Sequence, residues 1–354
     1  MLAPLDVVLI GPALPAVAEA FSVSSGRAGL VITAYAVPGV VAAPLVGALA
    51  DRLGRRPVVF GSTLLYGLTG IAVALVPADA FLAVLALRAL QGVVGGSILA
   101  SLALTLASDY FDGPRRNAAV GYVSAAITVS AAVVPLVGGA LAAVSWRAVF
   151  LAYGASVLIA VVVILSLPEP SATAESDPPV LADLRGAVPT GRAVGVYGAA
   201  FVGYGLFFGG LLTATPFVLA DEFTLSPGRI GALLTAASLV GAAVALGNGR
   251  LARSRSSLGL LILALLILGV GLATFTVGHG LLQPSLAAVI SELGPPRARG
   301  ALMSLRTSVI LASQAVAPLA FTAPSSLVGG TRVLLAAGGV VALAAGLAGW
   351  LLRR

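Results

Sequence analysis

Of the chain's 354 residues, 59% are hydrophobic and only 9% are charged, with a mean hydropathy of +1.09. A soluble domain carries about 25% charged residues, so this chain cannot cover its own surface in water and its solvent must be largely lipid. The net charge of +7 does not point to nucleic acid, because the arginines stand singly or in twos and threes between apolar runs, with no basic face interleaved by aromatics.

Further classes fall away by residue type. There is no cysteine and a single histidine, His279, so disulfides, thiolate sites and His-rich metal sites are excluded. All basic residues are arginine, and without lysine no Gly-x-x-x-x-Gly-Lys phosphate loop exists. Neither a catalytic constellation nor a cofactor or metal site is expected. The lysine-free, Ala/Gly/Val-rich composition suggests a GC-rich bacterial gene.

Apolar runs of about 20 residues without strand-like alternation predict helices rather than a barrel. They fall at 2–20, 28–50, 57–77, 80–106, 117–143 and 147–168. The first lacks the basic flank of a signal peptide and reads as a retained helix. A polar, proline-rich segment, 169–192, reads as a cytoplasmic linker. Further runs follow at 193–220, 228–248, 257–293, 299–322 and 330–352. Two bundles are expected, 1–168 and 193–354.

The halves repeat. Gly26, Arg27, Gly29 and Thr33 align with Gly228, Arg229, Gly231 and Thr235, and Gly47, Leu49 and Ala50 with Gly249, Leu251 and Ala252, at an offset of 202. Arg116 and Pro135 align with Arg299 and Pro318 at an offset of 183, so the second half is 19 residues shorter in its third and fourth spans. The run 257–293 therefore holds two short helices or one long one. Arginine clusters on both sides of it favour an even number of crossings, hence a shortened hairpin turning near Gly278-His279-Gly280. With twelve crossings and both termini cytoplasmic, only Arg27, Arg147, Arg229 and Arg332 fall outside, Arg88 and Arg306 lie within spans, and every other arginine is cytoplasmic.

The strongest motif is Gly47-Ala-Leu-Ala-Asp51-Arg52-Leu-Gly54-Arg55-Arg56. Glycines permit a tight helix-to-helix turn, the aspartate can complement a helix N-terminus, and the arginines can meet carboxylates or lipid phosphates. This resembles the signature of the major facilitator superfamily between its second and third spans. The resemblance, covering essentially the whole chain with the repeat, implies an all-α membrane fold of two pseudo-symmetric six-helix bundles. It also implies that Asp51 caps the eleventh helix and, with Arg52, Arg55 and Arg56, latches one side of a transporter. Asp109 is a candidate partner of Arg55 or a solvated loop charge.

In the fourth span Arg88, Gln91, Gly92 and Gly95 share one helix face. An arginine there needs a partner or a water-filled cavity. The pattern is similar to the family's fourth-helix motif, associated with proton transfer. Asp6 in the first span is its natural partner, followed by Gly11-Pro12-Ala13-Leu14-Pro15, similar to the first-helix pattern of drug/proton antiporters. Asp6 is either a proton-titrating carboxylate or a residue at a frayed helix end. Ser130-Ala-Ala-Val-Val134-Pro135-Leu-Val-Gly138-Gly139 resembles the antiporters' fifth-helix motif, with Ser130 and Val134 in place of glycines; it fits close packing as well as antiport.

Arg306, about two turns past Arg299, either snorkels to the interface or faces a cavity. Trp146-Arg147 reads as an interfacial anchor, and His279 as a turn or packing residue. Tyr35, Tyr204, Phe208, Gln283 and Gln314 are candidate cavity residues. The leading expectation is proton-coupled efflux of a small amphipathic or cationic compound by a monomer in a bacterial inner membrane, its partners being substrate, protons and the bilayer. The rivals are metabolite uptake by proton symport and a non-transporting sensor or partner protein.

Overall fold

The computed structural model describes residues 6–95, 110–111, 113–167, 191–252, 256–270, 272–293, 299–322, 339–343 and 346. They are helical almost throughout, with no strand among them, and six helical stretches are long and apolar enough to cross a bilayer. Helices suit this chain because they satisfy every backbone hydrogen bond within one segment.

The first span is broken. α1 (Asp6–Ile10) runs through a 3-10 turn (Gly11–Ala13) into α2 (Leu14–Ala20), with Pro12 and Pro15 in the stretch. Proline removes a backbone donor, which accounts for the change of helix type. Ser24 caps α3 (Ser25–Leu53), its Oγ accepting from the Arg27 amide at 3.4 Å. That helix stops at Gly54, whose φ of 94° and ψ of 151° suit glycine, so α4 (Arg55–Ala74) begins one residue later. The tight turn expected of the glycine motif is therefore made by Gly54.

α5 (Phe81–Val94) covers the first part of the run predicted at 80–106; the remainder lies outside the described residues. α6 (Gly113–Val144), 32 residues with Pro135 inside it, is followed by α7 (Trp146–Leu151) and α8 (Gly154–Ser166).

The second half opens with α9 (Gly191–Gly205), which widens into a π-helical segment (Leu206–Ala214) before α10 (Thr215–Asp221). Thr213 Oγ1 donates to the Phe208 carbonyl, five residues back, at 2.6 Å. α11 (Pro227–Leu251), α12 (Ser257–Val270), α13 (Leu272–Ser291) and α14 (Arg299–Thr322) complete the described helices of length. Of the last predicted span, 330–352, only 339–343 and 346 are described, and they are helical.

The run 257–293 is a hairpin: α12 and α13 pack on each other, and the Ser257 hydroxyl donates to the Glu292 carboxylate at 2.9 Å, bringing its two ends together. Its reversal falls between α12 and α13, not at Gly278-His279-Gly280, which lies inside α13. Gly280 serves helix packing: a Cβ there would run into the Gly241 carbonyl of α11.

By internal packing the chain divides into two units, 1–172 with 215–235, and 173–214 with 236–354. The linker expected at 169–192 lies outside the described residues apart from its last two positions.

Candidate functional site

In the first unit, the residues of the fourth-helix motif meet the first span. Arg88 is 0% exposed and Asp6 1%. Arg88 Nη1 donates to Asp6 Oδ1 at 3.0 Å, and Nη2 donates to Asp6 Oδ2, so the guanidinium grips the carboxylate with both prongs. Burial removes the reading of Asp6 as a frayed, solvated helix end. A lone arginine at a span centre costs about 2.5–3.5 kcal/mol on insertion scales, a cost the carboxylate offsets.

Other partners hold both groups. Tyr66 donates to Asp6 Oδ1 at 3.3 Å, and the Tyr153 hydroxyl donates to the same oxygen. Arg88 Nε donates to the Val31 carbonyl at 3.1 Å, and Nη1 also donates to Gln91 Oε1. Gln91 Nε2 in turn donates to the Tyr66 carbonyl at 3.0 Å. The Tyr35 ring lies 4.5 Å from the guanidinium carbon, in cation–π range.

The elements bring these groups together through glycine. A Cβ at Gly92 would meet the Tyr35 carbonyl, and one at Gly70 would meet the Tyr153 ring. A side chain at either position would wedge α5 from α3, or α4 from α8. The fifth-helix motif does similar work: a Cβ at Gly138 would strike the Leu9 carbonyl, and one at Gly139 would lie 2.5 Å from the Pro227 carbonyl and 2.8 Å from Gly231. Gly231 in turn packs on the Pro135 carbonyl. Pro135, Gly138 and Gly139 therefore seat α6 against α1 and the start of α11, while Ser130 is half-buried.

Tyr66 and Tyr153 were not among the sequence candidates. A signal existed: a buried tyrosine hydroxyl needs a partner, and Asp6 is a carboxylate inside the spans of that half.

The Asp51 loop is described in part. Arg52 is exposed, Arg55 and Arg56 are half-buried, and Arg56 Nη2 donates to the Ile164 carbonyl at the end of α8. That cation complements the negative helix end. Asp109 and the side chain of Asp51 lie outside what is described, as do the surroundings of Gly47.

Trp146 corrects an expectation. It is buried rather than an interfacial anchor, with its ring 4.9 Å from that of Phe21. Arg147 donates to the carbonyls of Ala74 at 3.0 Å and Val76 at 3.3 Å, capping the end of α4.

The second unit holds a separate cluster. Arg306 Nη2 donates to the Tyr204 hydroxyl at 2.7 Å and to Gln283 Oε1 at 2.6 Å, and Tyr204 also donates to Gln283 Oε1 at 2.6 Å. Arg306 thus turns inward instead of snorkelling. His279 stacks on Phe207 with centroids 4.0 Å apart and planes 5° from parallel, and Phe208 stacks on Tyr204 at 6.3 Å. α14 is held on α9 by Tyr197 donating to the Leu302 carbonyl and Ser313 to the Phe201 carbonyl, each at 2.9 Å. Gln314, half-buried, lies about 12 Å further along α14 and is not among the partners of Arg306. Sequence reasoning singled out Tyr204, Phe208 and Gln283 but not Phe207.

The family model described as the Major Facilitator Superfamily matches residues 1–280. The chain belongs to that superfamily. It is a multi-pass membrane protein whose likenesses are to transporters rather than enzymes. It is 31% identical over 175 residues to the MFS-type efflux pump MMF1 of Pseudozyma antarctica, covering 49% of this chain and 32% of that protein. It is 34% identical over 184 residues to the 3-(3-hydroxy-phenyl)propionate transporter of Escherichia coli, covering 50% of this chain and 44% of that one. The chain thus spans less than half the length of these two curated relatives. The fold resembles the inward-facing, occupied structure of a bacterial homologue of the human lysosomal transporter Spinster, with a TM-score of 0.73, 18% identity and coverage of 98% and 93%.

Proposed function

We propose that this chain is a proton-coupled secondary transporter that exports small amphipathic compounds across a bacterial inner membrane by alternating access. The observation that carries the reading is the buried Asp6–Arg88 pair with its two tyrosine donors. When Asp6 takes up a proton, Arg88 loses its counter-charge, and the two tyrosines lose the charged acceptor they share. One proton thereby changes the tie between α1, α4, α5 and α8, which is the kind of coupling an exchanger needs. The efflux name of one relative supports the direction. Because Asp6 is engaged by Arg88, the amphipathic class is carried forward rather than the cationic one. The loop at Asp51 would latch the cytoplasmic side, and the protein would act as a monomer with both termini inside.

The test is pH-gradient-driven flux of an amphipathic dye in proteoliposomes, comparing wild type with Asp6→Asn. Flux lost in the variant is the expected result; flux at the wild-type rate refutes the role of Asp6. Reversing the gradient tests direction, since dye accumulation in step with proton entry identifies uptake by symport instead.

A further inference from the structure

Arg306 is charged, and no carboxylate among the described residues balances it. Its hydrogen bonds go from Nη2 to two neutral oxygens, those of Tyr204 and Gln283, while its Nε is buried without an acceptor. An arginine turned into a membrane bundle in this way needs an anion or water to complete it. The cluster is open on one side, because Gln283 is exposed and Arg306, Phe207 and Phe208 are half-buried. Hydrocarbon is a poor neighbour for a guanidinium and an amide, so that side calls for water or another polar neighbour rather than lipid tails.

Beside the charge lies an aromatic surface. The π-helical segment places Phe207 and Phe208 side by side, one stacked on His279 and the other on Tyr204. π-helical turns frequently mark functional sites. A cation lacking a counter-charge, two oxygens that orient it and adjacent ring faces together match a solute bearing one carboxylate and one aromatic ring.

We infer that Arg306, oriented by Tyr204 and Gln283, binds the carboxylate of an aromatic acid whose ring lies against Phe207 and Phe208. This deepens the transporter reading, on which it rests, by naming a class of solute.

The experiment titrates the purified full-length chain, in detergent and without any gradient, with fluorescent 1-naphthylacetate and with its neutral amide, 1-naphthylacetamide. The acid should bind at least tenfold more tightly than the amide, and Arg306→Gln should erase that preference. Gln283→Glu keeps the side chain's shape while giving Arg306 an internal carboxylate, so it should weaken acid binding at least tenfold even if Arg306→Gln fails to fold. Equal binding of acid and amide, no binding of the acid, or undiminished binding to the Gln283→Glu variant would overturn the inference. So would displacement of the acid by phosphatidylglycerol but not by phosphatidylcholine, which would assign the cation to a lipid headgroup. Because no proton gradient is applied, loss of acid recognition and failure of the Asp6 flux test are separate results.

Discussion

Two arginines inside the membrane spans behave in opposite ways. Arg88 in the first unit is sealed, gripped by a carboxylate and held by a backbone carbonyl, an amide and a ring face. Arg306 in the second unit is half-buried and held by two neutral oxygens. The packing beneath them is nevertheless repeated: a Cβ at Gly39 would lie 3.1 Å from the Gly92 carbonyl of α5, and one at Gly241, 202 residues later, 3.0 Å from the Thr276 carbonyl of α13. The duplicated halves thus share a way of bringing helices together and differ in the charges they surround. Backbone contact is demanded of both copies by close helix packing, whereas a buried charge survives only where its partner is also present.

The comparison can be tested at each level. The largest effect is expected from Arg88→Gln, which strands the Asp6 carboxylate and should cost about 3–5 kcal/mol of stability. The double variant Asp6→Asn/Arg88→Gln should recover most of that loss in detergent unfolding, because no unpaired charge remains. Failure of the second substitution to rescue would show that the pair is not a closed unit. Next, Gly92→Ala and Gly280→Ala should each cost about 1–3 kcal/mol, since a methyl group must displace a helix backbone in either unit. A large cost in one unit and none in the other would break the claim that the packing is shared.

Tyr153→Phe removes a donor to a charged acceptor and should cost about 1.5–3 kcal/mol by the same assay, more than Tyr66→Phe, whose bond is longer at 3.3 Å. The smallest effect is expected from Arg306→Gln, within about 0.5 kcal/mol of wild type, because no carboxylate among the described residues is left stranded. A destabilisation as large as that of Arg88→Gln would reveal a structural counter-charge and erase the contrast.

Much of this was legible in the residues. Asp6 and Arg88 stood out because ionisable groups are scarce in the spans, and scarcity of partners makes pairing a short inference. The shortened hairpin followed from the change of repeat offset and from the arginines on either side of the run. Its turn was misplaced, because Gly-His-Gly reads as a turn when the only cue is local, whereas Gly280 lets α13 approach Gly241. Trp146 was likewise read from local chemistry as an anchor, and Phe21, distant in sequence, packs on it together with Phe150 one turn along.

From the sequence alone came the solvent, the helices and their repeat, with Asp6 and Arg88 as candidate partners. These follow from composition, from apolar length and from the cost of an unpartnered charge, all read along the chain. Only the tertiary structure decided that Tyr66 and Tyr153 complete the Asp6 site, that Arg306 turns toward Tyr204 and Gln283, and that Phe207 stacks on His279. Those contacts join residues separated by 23 to 147 positions. Which helix faces meet is set by packing among all the helices of a unit together, so no single segment carries that information.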